Sequence, residues 1–192
     1  MTIYVGIDPG LGGAIASLDG SGAIVALHDT PVLEVTKARS THRHEYDARA
    51  MALLVLGDLQ AQTCDVNGHV YLEEQQARPH DGPSQAFGTG KGFGIWIGIL
   101  SALAIPYTRV HANSWKFRMH LDADKEKTRL RAIERWPQAD LHRKKDHGRA
   151  EALFLAEFCR QQDITLKAKK MGVSAGTTVE EHQLGAGGMD VR

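Results

Sequence analysis

Asp8, Glu73, Glu74, Asp146, His147 and Glu151 are the side chains of this 192-residue chain whose types and settings could do chemistry together. Asp8 ends Ile3-Tyr4-Val5-Gly6-Ile7-Asp8, where apolar residues alternate with a second row that finishes on a carboxylate, the period of a strand. Val70-Tyr71-Leu72 is another short apolar run, bounded by Asn67-Gly68, and it also runs into acids, Glu73 and Glu74. Successive strand residues point to opposite faces, so one of those two joins a common site with Asp8. Glu151 lies three, four and seven positions before Phe154, Leu155 and Phe158, on the stripe a helix turns to the core, and His147 points the same way. A carboxylate on a buried stripe is costly unless a charge or a metal pairs with it. Each acid also has a plainer reading: Asp8-Pro9-Gly10 can be hairpin punctuation, and Glu151 can close a structural ion pair with Arg149, Lys144 or Lys145.

The elements that must position these residues follow from pattern. Residues 2–8, 14–18 and 23–28 read as three short strands with tight connections, an antiparallel meander. Residues 30–44 read as a loop with local basic charge, and 45–62 as a helix with a broad apolar side. After the fourth strand, residues 84–103 form an apolar helix carrying glycines at 88, 90, 92, 94 and 98, each costing about 1 kcal/mol against Ala, so close packing or a ligand must compensate. Gly88-Thr89-Gly90-Lys91-Gly92 is not a phosphate loop, because Gly92 and Gln85 stand where that motif needs Ser or Thr and Gly. A strand at 107–110 leads into a loop with Asn113, Trp115 and Lys116. Asp122 or Asp124 can cap a helix at 125–136 whose outer face carries Lys125, Lys127, Arg129, Arg131 and Arg135, and Asp146 can cap a last helix to about 162.

Length and composition favour one soluble domain, residues 1–166, with 167–192 as a glycine-rich flexible tail. Cys64 and Cys159 lack metal-ligand spacing, and no segment reads as a signal peptide or membrane span, so a reducing cytoplasm is the expected compartment. Lys plus Arg and Asp plus Glu balance at 23 each, but residues 109–149 hold twelve of the former against six of the latter. That block is either a phosphate-binding surface or a solvated helix face.

The element order matches an α/β ribonuclease H-like fold: a mixed five-stranded sheet, with a three-strand antiparallel meander plus two parallel strands, flanked by helices. Four stretches resemble the RuvC-type Holliday-junction resolvases, particularly their bacteriophage and prophage branch: Gly6-Ile7-Asp8-Pro9-Gly10, Leu72-Glu73-Glu74-Gln75-Gln76-Ala77-Arg78-Pro79, Trp115-Lys116 with Asp124-Lys125, and Lys145-Asp146-His147-Gly148-Arg149-Ala150-Glu151-Ala152-Leu153. The resemblance implies a metal-dependent endonuclease (crossover junction endodeoxyribonuclease) in the bacterial cytoplasm that nicks branched DNA in pairs, leaving 5′ phosphate and 3′ hydroxyl ends. It implies that Asp8, Glu73, Asp146 and Glu151 hold two Mg²⁺ ions, with Mn²⁺ as substitute, and that His147 is a ligand or positions water. Glu73 is preferred to Glu74 for its spacing to Gln76-Ala77 and Pro79, and Ala112 stands where relatives often have Pro.

Phosphate contacts are expected from Arg78, Lys91, Lys116, Lys125 and Arg129. Trp115 is either a base-stacking platform or a core anchor, the second being commoner for an isolated loop Trp. Cutting two opposed strands implies a homodimer, with the glycine-rich helix as interface. No nucleotide cofactor and no membrane are expected. The rival readings are a catalytically silent junction-binding protein and an ATP-binding protein of the actin-like superfamily, which would need a second phosphate loop.

Overall fold

The computed structural model describes residues 2–37, 41–60 and 69–170. In chain order the elements are β1 (Tyr4–Asp8), β2 (Ala14–Leu18), β3 (Ile24–Asp29), β4 (Val32–Lys37), β5 (Thr41–Tyr46), α1 (Ala48–Leu54) with a π-helical turn (Val55–Gln60), and β6 (His69–Glu74). Then come α2 (Pro83–Ala102), β7 (Tyr107–His111), α3 (Ala112–Arg118), α4 (Lys125–Arg135), a 3-10 turn (Lys144–Asp146) and α5 (His147–Lys170). The main sheet has the order β3-β2-β1-β6-β7, and β4-β5 is a separate two-stranded ribbon. β1 pairs antiparallel with β2, and β2 with β3, while β6 runs parallel to both β1 and β7. This is the mixed sheet expected from the element order, flanked by helices.

Two cores lie on the two sides of that sheet. Ile3 just before β1, and Val5 and Ile7 within it, join Val70 and Leu72 of β6 beneath Trp96 and Leu100 of α2 and Met51 of α1. The opposite side packs Ala14, Ala16 and Leu18 against Leu153, Phe154 and Phe158 of α5, with Trp115 and Trp136 closing the edge. Strand pleating therefore assigns Tyr4, Gly6 and Asp8 to the α5 side, and Tyr71 and Glu73 with them. α5 is tied at its far end by the Tyr4 hydroxyl, which donates to Asp163 at 2.6 Å.

Four local readings are corrected. The stretch 30–44 is not a loop throughout: it contributes β4 and most of β5, paired antiparallel from Val32↔Tyr46 to Lys37↔Thr41, and β-branched Val32, Val35 and Thr36 favour the extended backbone of β4. The following helix starts at Ala48 rather than residue 45, since Glu45 and Tyr46 belong to β5 and the Asp47 carboxylate accepts the Ala50 N–H. The stretch holding Asn113, Trp115 and Lys116 is helix α3, where burial of Trp115 overrides the turn preference of Asn113 and Ser114. α5 also continues to Lys170, sustained by an Asp163–Lys167 pair one turn apart at 2.6 Å. The Asn67-Gly68 turn, Cys64, the predicted helix end at Gln62 and the tail beyond Lys170 lie outside the described residues. No helix among the described residues is long and apolar enough to cross a membrane.

Gly6 sets the distance between sheet and helix. A Cβ there would collide with the Ala152 carbonyl and the Ala156 amide of α5, both backbone atoms that cannot swing away. Gly148 repeats the device at the start of α5, where a Cβ would strike the Gly12 carbonyl. Gly6→Ala is accordingly expected to destabilise the fold by about 2 kcal/mol, lowering the thermal midpoint by roughly 4–8 °C in calorimetry.

Candidate active site

One residue past the Ile7↔Leu72 pair, Asp8 and Glu73 end adjacent parallel strands, side by side on the α5 face. Glu151 enters from the second turn of α5, buried at 5% exposure, and Glu73 is buried at 7%. The strand pleat that brings Glu73 in sends Glu74 away, where it pairs with His111 at 3.1 Å on the neighbouring strand. Asp8, Glu73 and Glu151 thus form one acidic cluster at the carboxyl end of the sheet centre.

The donors around this cluster hold it unequally. Glu73 accepts from the Trp115 indole N–H at 2.9 Å and from the Gln75 amide at 3.0 Å. Glu151 accepts from Lys116 Nζ at 2.8 Å, so its partner is not Arg149, Lys144 or Lys145. Arg149 instead binds Asp29 and Asp140. Among the described residues, Asp8 receives only a long 3.3 Å bond from the Gly10 N–H. Burial, then repulsion by Glu73 and Glu151, lifts the Asp8 carboxyl from its ordinary 3.8 to about 7, with Lys125 a weak counterweight. Burial and Glu151 also raise Glu73, opposed by Lys116 and the two donors.

Asp146 and His147 are not brought to this cluster. The Asp146 carboxylate accepts the Arg143 N–H and its side-chain Nε, each at 2.8 Å, closing a box around the 3-10 turn that starts α5. Burial works against its ionisation, but the Arg143 bonds hold it below the usual carboxylate range. The structure therefore corrects its expected place: Asp146 serves the helix entrance. His147 stands at the first residue of α5, its Nδ1 3.4 Å from the Lys144 carbonyl.

The DNA-contact candidates separate in the same way. Trp115 is fully buried, so it is the core anchor and no stacking platform. Arg129 is 8% exposed and spends its guanidinium on Glu126 and the Leu141 carbonyl, which removes it from the outer face of α4. Lys116 and Lys125 act on the acids themselves. Arg78 is exposed and lines an open cleft of about 270 Å³ with Glu73, Gln75, His111 and Asn113. Lys91 is exposed on α2, 3.7 Å from Glu45. Much of the basic block is neutralised locally by Arg135–Glu157, Arg143–Asp146 and the Arg149 pairs. Sequence reasoning missed Gln75 and Trp115 as donors to Glu73, although a Trp buried beside a strand-end acid needs an acceptor for its N–H.

Among the described residues, no three His, Cys, Asp or Glu form a ready-made metal cage. The donor chemistry nevertheless fits a hard divalent cation: three oxygen-only acids, of which Asp8 and Glu73 have no cationic partner at bonding distance among the described residues. Asp8, Glu73 and Glu151 are the residues that could hold it.

No family model matches the chain, and no curated protein matches it. Among solved structures, the one described as T. thermophilus RuvC in complex with Holliday junction substrate superposes with a TM-score of 0.52 at 15% identity, covering 89% of this chain and 97% of that one. The chain shares the RuvC fold. A second structure, Thermus thermophilus RuvC, has a TM-score of 0.45 at 16% identity over the same shares of the two chains, too loose a match to add to this. At such identity the likeness to RuvC concerns the backbone path.

Because the folded state binds a proton at Asp8 more tightly than the unfolded chain, Asp8 stabilises least when ionised. Relative to Asp8→Asn, the unmodified chain is expected to lose stability as pH rises from about 4 to about 7, measured by thermal melts in chelator. Millimolar Mg²⁺ or Mn²⁺ should raise the midpoint of the unmodified chain near neutral pH and leave Asp8→Asn unmoved.

Proposed function

We propose that this chain is a divalent-metal-dependent endonuclease for branched DNA, of the RuvC resolvase type. The observation that carries the reading is the convergence of Asp8, Glu73 and Glu151, from two parallel strand ends and one helix, with Asp8 left short of positive charge. The RuvC fold and the sequence resemblance to the phage branch of that family support it. A structural ion-pair network would match its acids with cations, as Glu157 is matched by Arg135 and Arg160.

Each residue has a derived task. Asp8 would hold a divalent cation together with Glu73 and Glu151, while Trp115 and Gln75 fix the Glu73 carboxylate so that it presents one orientation. Lys116, released from Glu151, turns its ammonium to the phosphate, and Lys125 adds a second positive charge on the approach. When bound, a Mg²⁺ pair supplies the Lewis acidity that activates water for in-line attack and steadies the leaving 3′ oxygen. The products are a 5′ phosphate and a 3′ hydroxyl. Asp146 and His147, at the mouth of α5, remain candidates to reach the site only if the Arg143 box opens.

Paired nicks call for two copies. α2 offers an open face: a Cβ at Gly90, Gly94 or Gly98 would meet nothing within 4 Å, and Phe87 on the same helix is 71% exposed. We place the dimer contact there. Gly94→Leu or Gly98→Leu should give monomers in sedimentation velocity, and a retained dimer would move the interface elsewhere.

The deciding experiment uses a synthetic four-way junction with Mg²⁺. Asp8→Asn and Glu73→Gln should each keep junction binding and lose cleavage, whereas Glu74→Gln should cut within about threefold of the unmodified chain. Unchanged cleavage in Asp8→Asn would sink the reading and leave the silent junction-binding alternative.

A further inference from the structure

A second open cleft, about 280 Å³, lies on the other side of Gln75 from the one lined by Arg78. Its walls are Pro9, Gly10 and Leu11 directly after Asp8, Ser84, Gln85 and Thr89 at the start of α2, and Arg43 and Tyr46 of β5. Gln75 belongs to both clefts and also donates to Glu73, so the two depressions meet at the acidic cluster. A strand laid across the acids would have one flank in each.

The wall built by the hairpin is fixed to the site. The Tyr46 hydroxyl donates to the Pro9 carbonyl at 3.3 Å, and the Tyr46 ring fills the space that a side chain at position 92 would take. Tyr46 therefore locks β5 to α2 and to the turn that follows Asp8. Three residues out along β5, Arg43 stands 4.0 Å from Glu45, and Lys91 of α2 stands 3.7 Å from the other oxygen of the same carboxylate. One carboxylate cannot neutralise two cations, and both cations are partly exposed. Gln75, Ser84, Gln85 and Thr89 add amides and hydroxyls to a lining that is otherwise mainly apolar, and none of the lining residues is an acid. An excess positive charge at the edge of an acid-free cleft, on a wall that Tyr46 ties to the turn after Asp8, suits a phosphodiester.

We propose that Arg43 and Lys91, held on either side of Glu45, form a subsite for a backbone phosphate of the DNA strand beside the one placed over the acids, and that the β4–β5 hairpin exists to carry Arg43 there. The subsite rests on the nuclease reading above and extends it to a residue and an element without an assigned part. Glu45 is a positioning residue: it spaces the two cations so that each keeps free donors for phosphate oxygens.

The test measures binding of the full chain, as Asp8→Asn, to a fluorescent four-way junction over a series of salt concentrations. Arg43→Ala should weaken binding roughly eightfold at 0.1 M salt and reduce the slope of log affinity against log salt by about 0.9, the signature of one lost phosphate contact. Lys91→Ala, on a helix and away from the hairpin, should do the same, and Arg43→Lys should restore most of the slope. Thermal melts of each variant separate a lost contact from a damaged hairpin. An unaltered slope in both Ala variants of a chain that binds junctions overturns the subsite and leaves the nuclease reading standing. A chain that neither binds nor cuts branched DNA overturns both.

Discussion

Everything at the candidate site depends on how closely α5 can lie on β1. With a side chain at position 6 the helix would ride higher, and Glu151 would no longer reach the level of Asp8 and Glu73. Gly6 and Gly148 remove the obstacles at two points along the contact, and Tyr4–Asp163 ties the far end. The close contact has an electrostatic consequence. It forces three carboxylates together in a partly buried place, where their repulsion is screened less than at the surface. The packing of Leu153, Phe154 and Phe158 supplies the opposing free energy, so the hydrophobic core holds the acids against one another.

Charge is distributed with the same logic. The buried acids away from the cluster are satisfied in full: Glu157 by Arg135, Arg160 and Gln161, Asp163 by Tyr4 and Lys167, Asp146 by Arg143. Within the cluster, by contrast, Asp8 is pushed up to about 7 and Glu73 is raised as well. A perturbed group surrounded by satisfied ones is the pattern of a functional place rather than of a poorly packed one.

The sheet and the acidic trio were legible because both rest on short-range pattern. Alternation in β1 and the short apolar run of β6 marked the strands, and helical spacing put Glu151 on the stripe of Phe154 and Phe158. The pleat admitted either Glu73 or Glu74, and the choice of Glu73 rested on the resemblance of its spacing to Gln76-Ala77 and Pro79. What the chain hid were arrangements decided by distant partners. The β4–β5 ribbon looked like a loop because its strands satisfy one another apart from the sheet, and Pro31 with scattered charge masked the alternation. Arg129 sat on a helix face that spacing declared exterior, yet the Leu141 carbonyl twelve residues on drew it inside. Asp146 carried the right chemistry at a plausible spacing, and only the position of Arg143 shows that its oxygens are already engaged.

The place of Glu151 in the chain bears on the order of synthesis. Asp8 and Glu73 emerge from the ribosome early, on strands that can pair as soon as β6 is made. The third acid arrives only with α5, which also covers the Gly6 face of β1. A nascent or truncated chain ending before residue 147 has two of the acids and an open apolar sheet face, so it lacks both the site and the core on which the site stands. Completion of the fold and completion of the acidic cluster are therefore a single event, brought about by one helix at the end of the described chain.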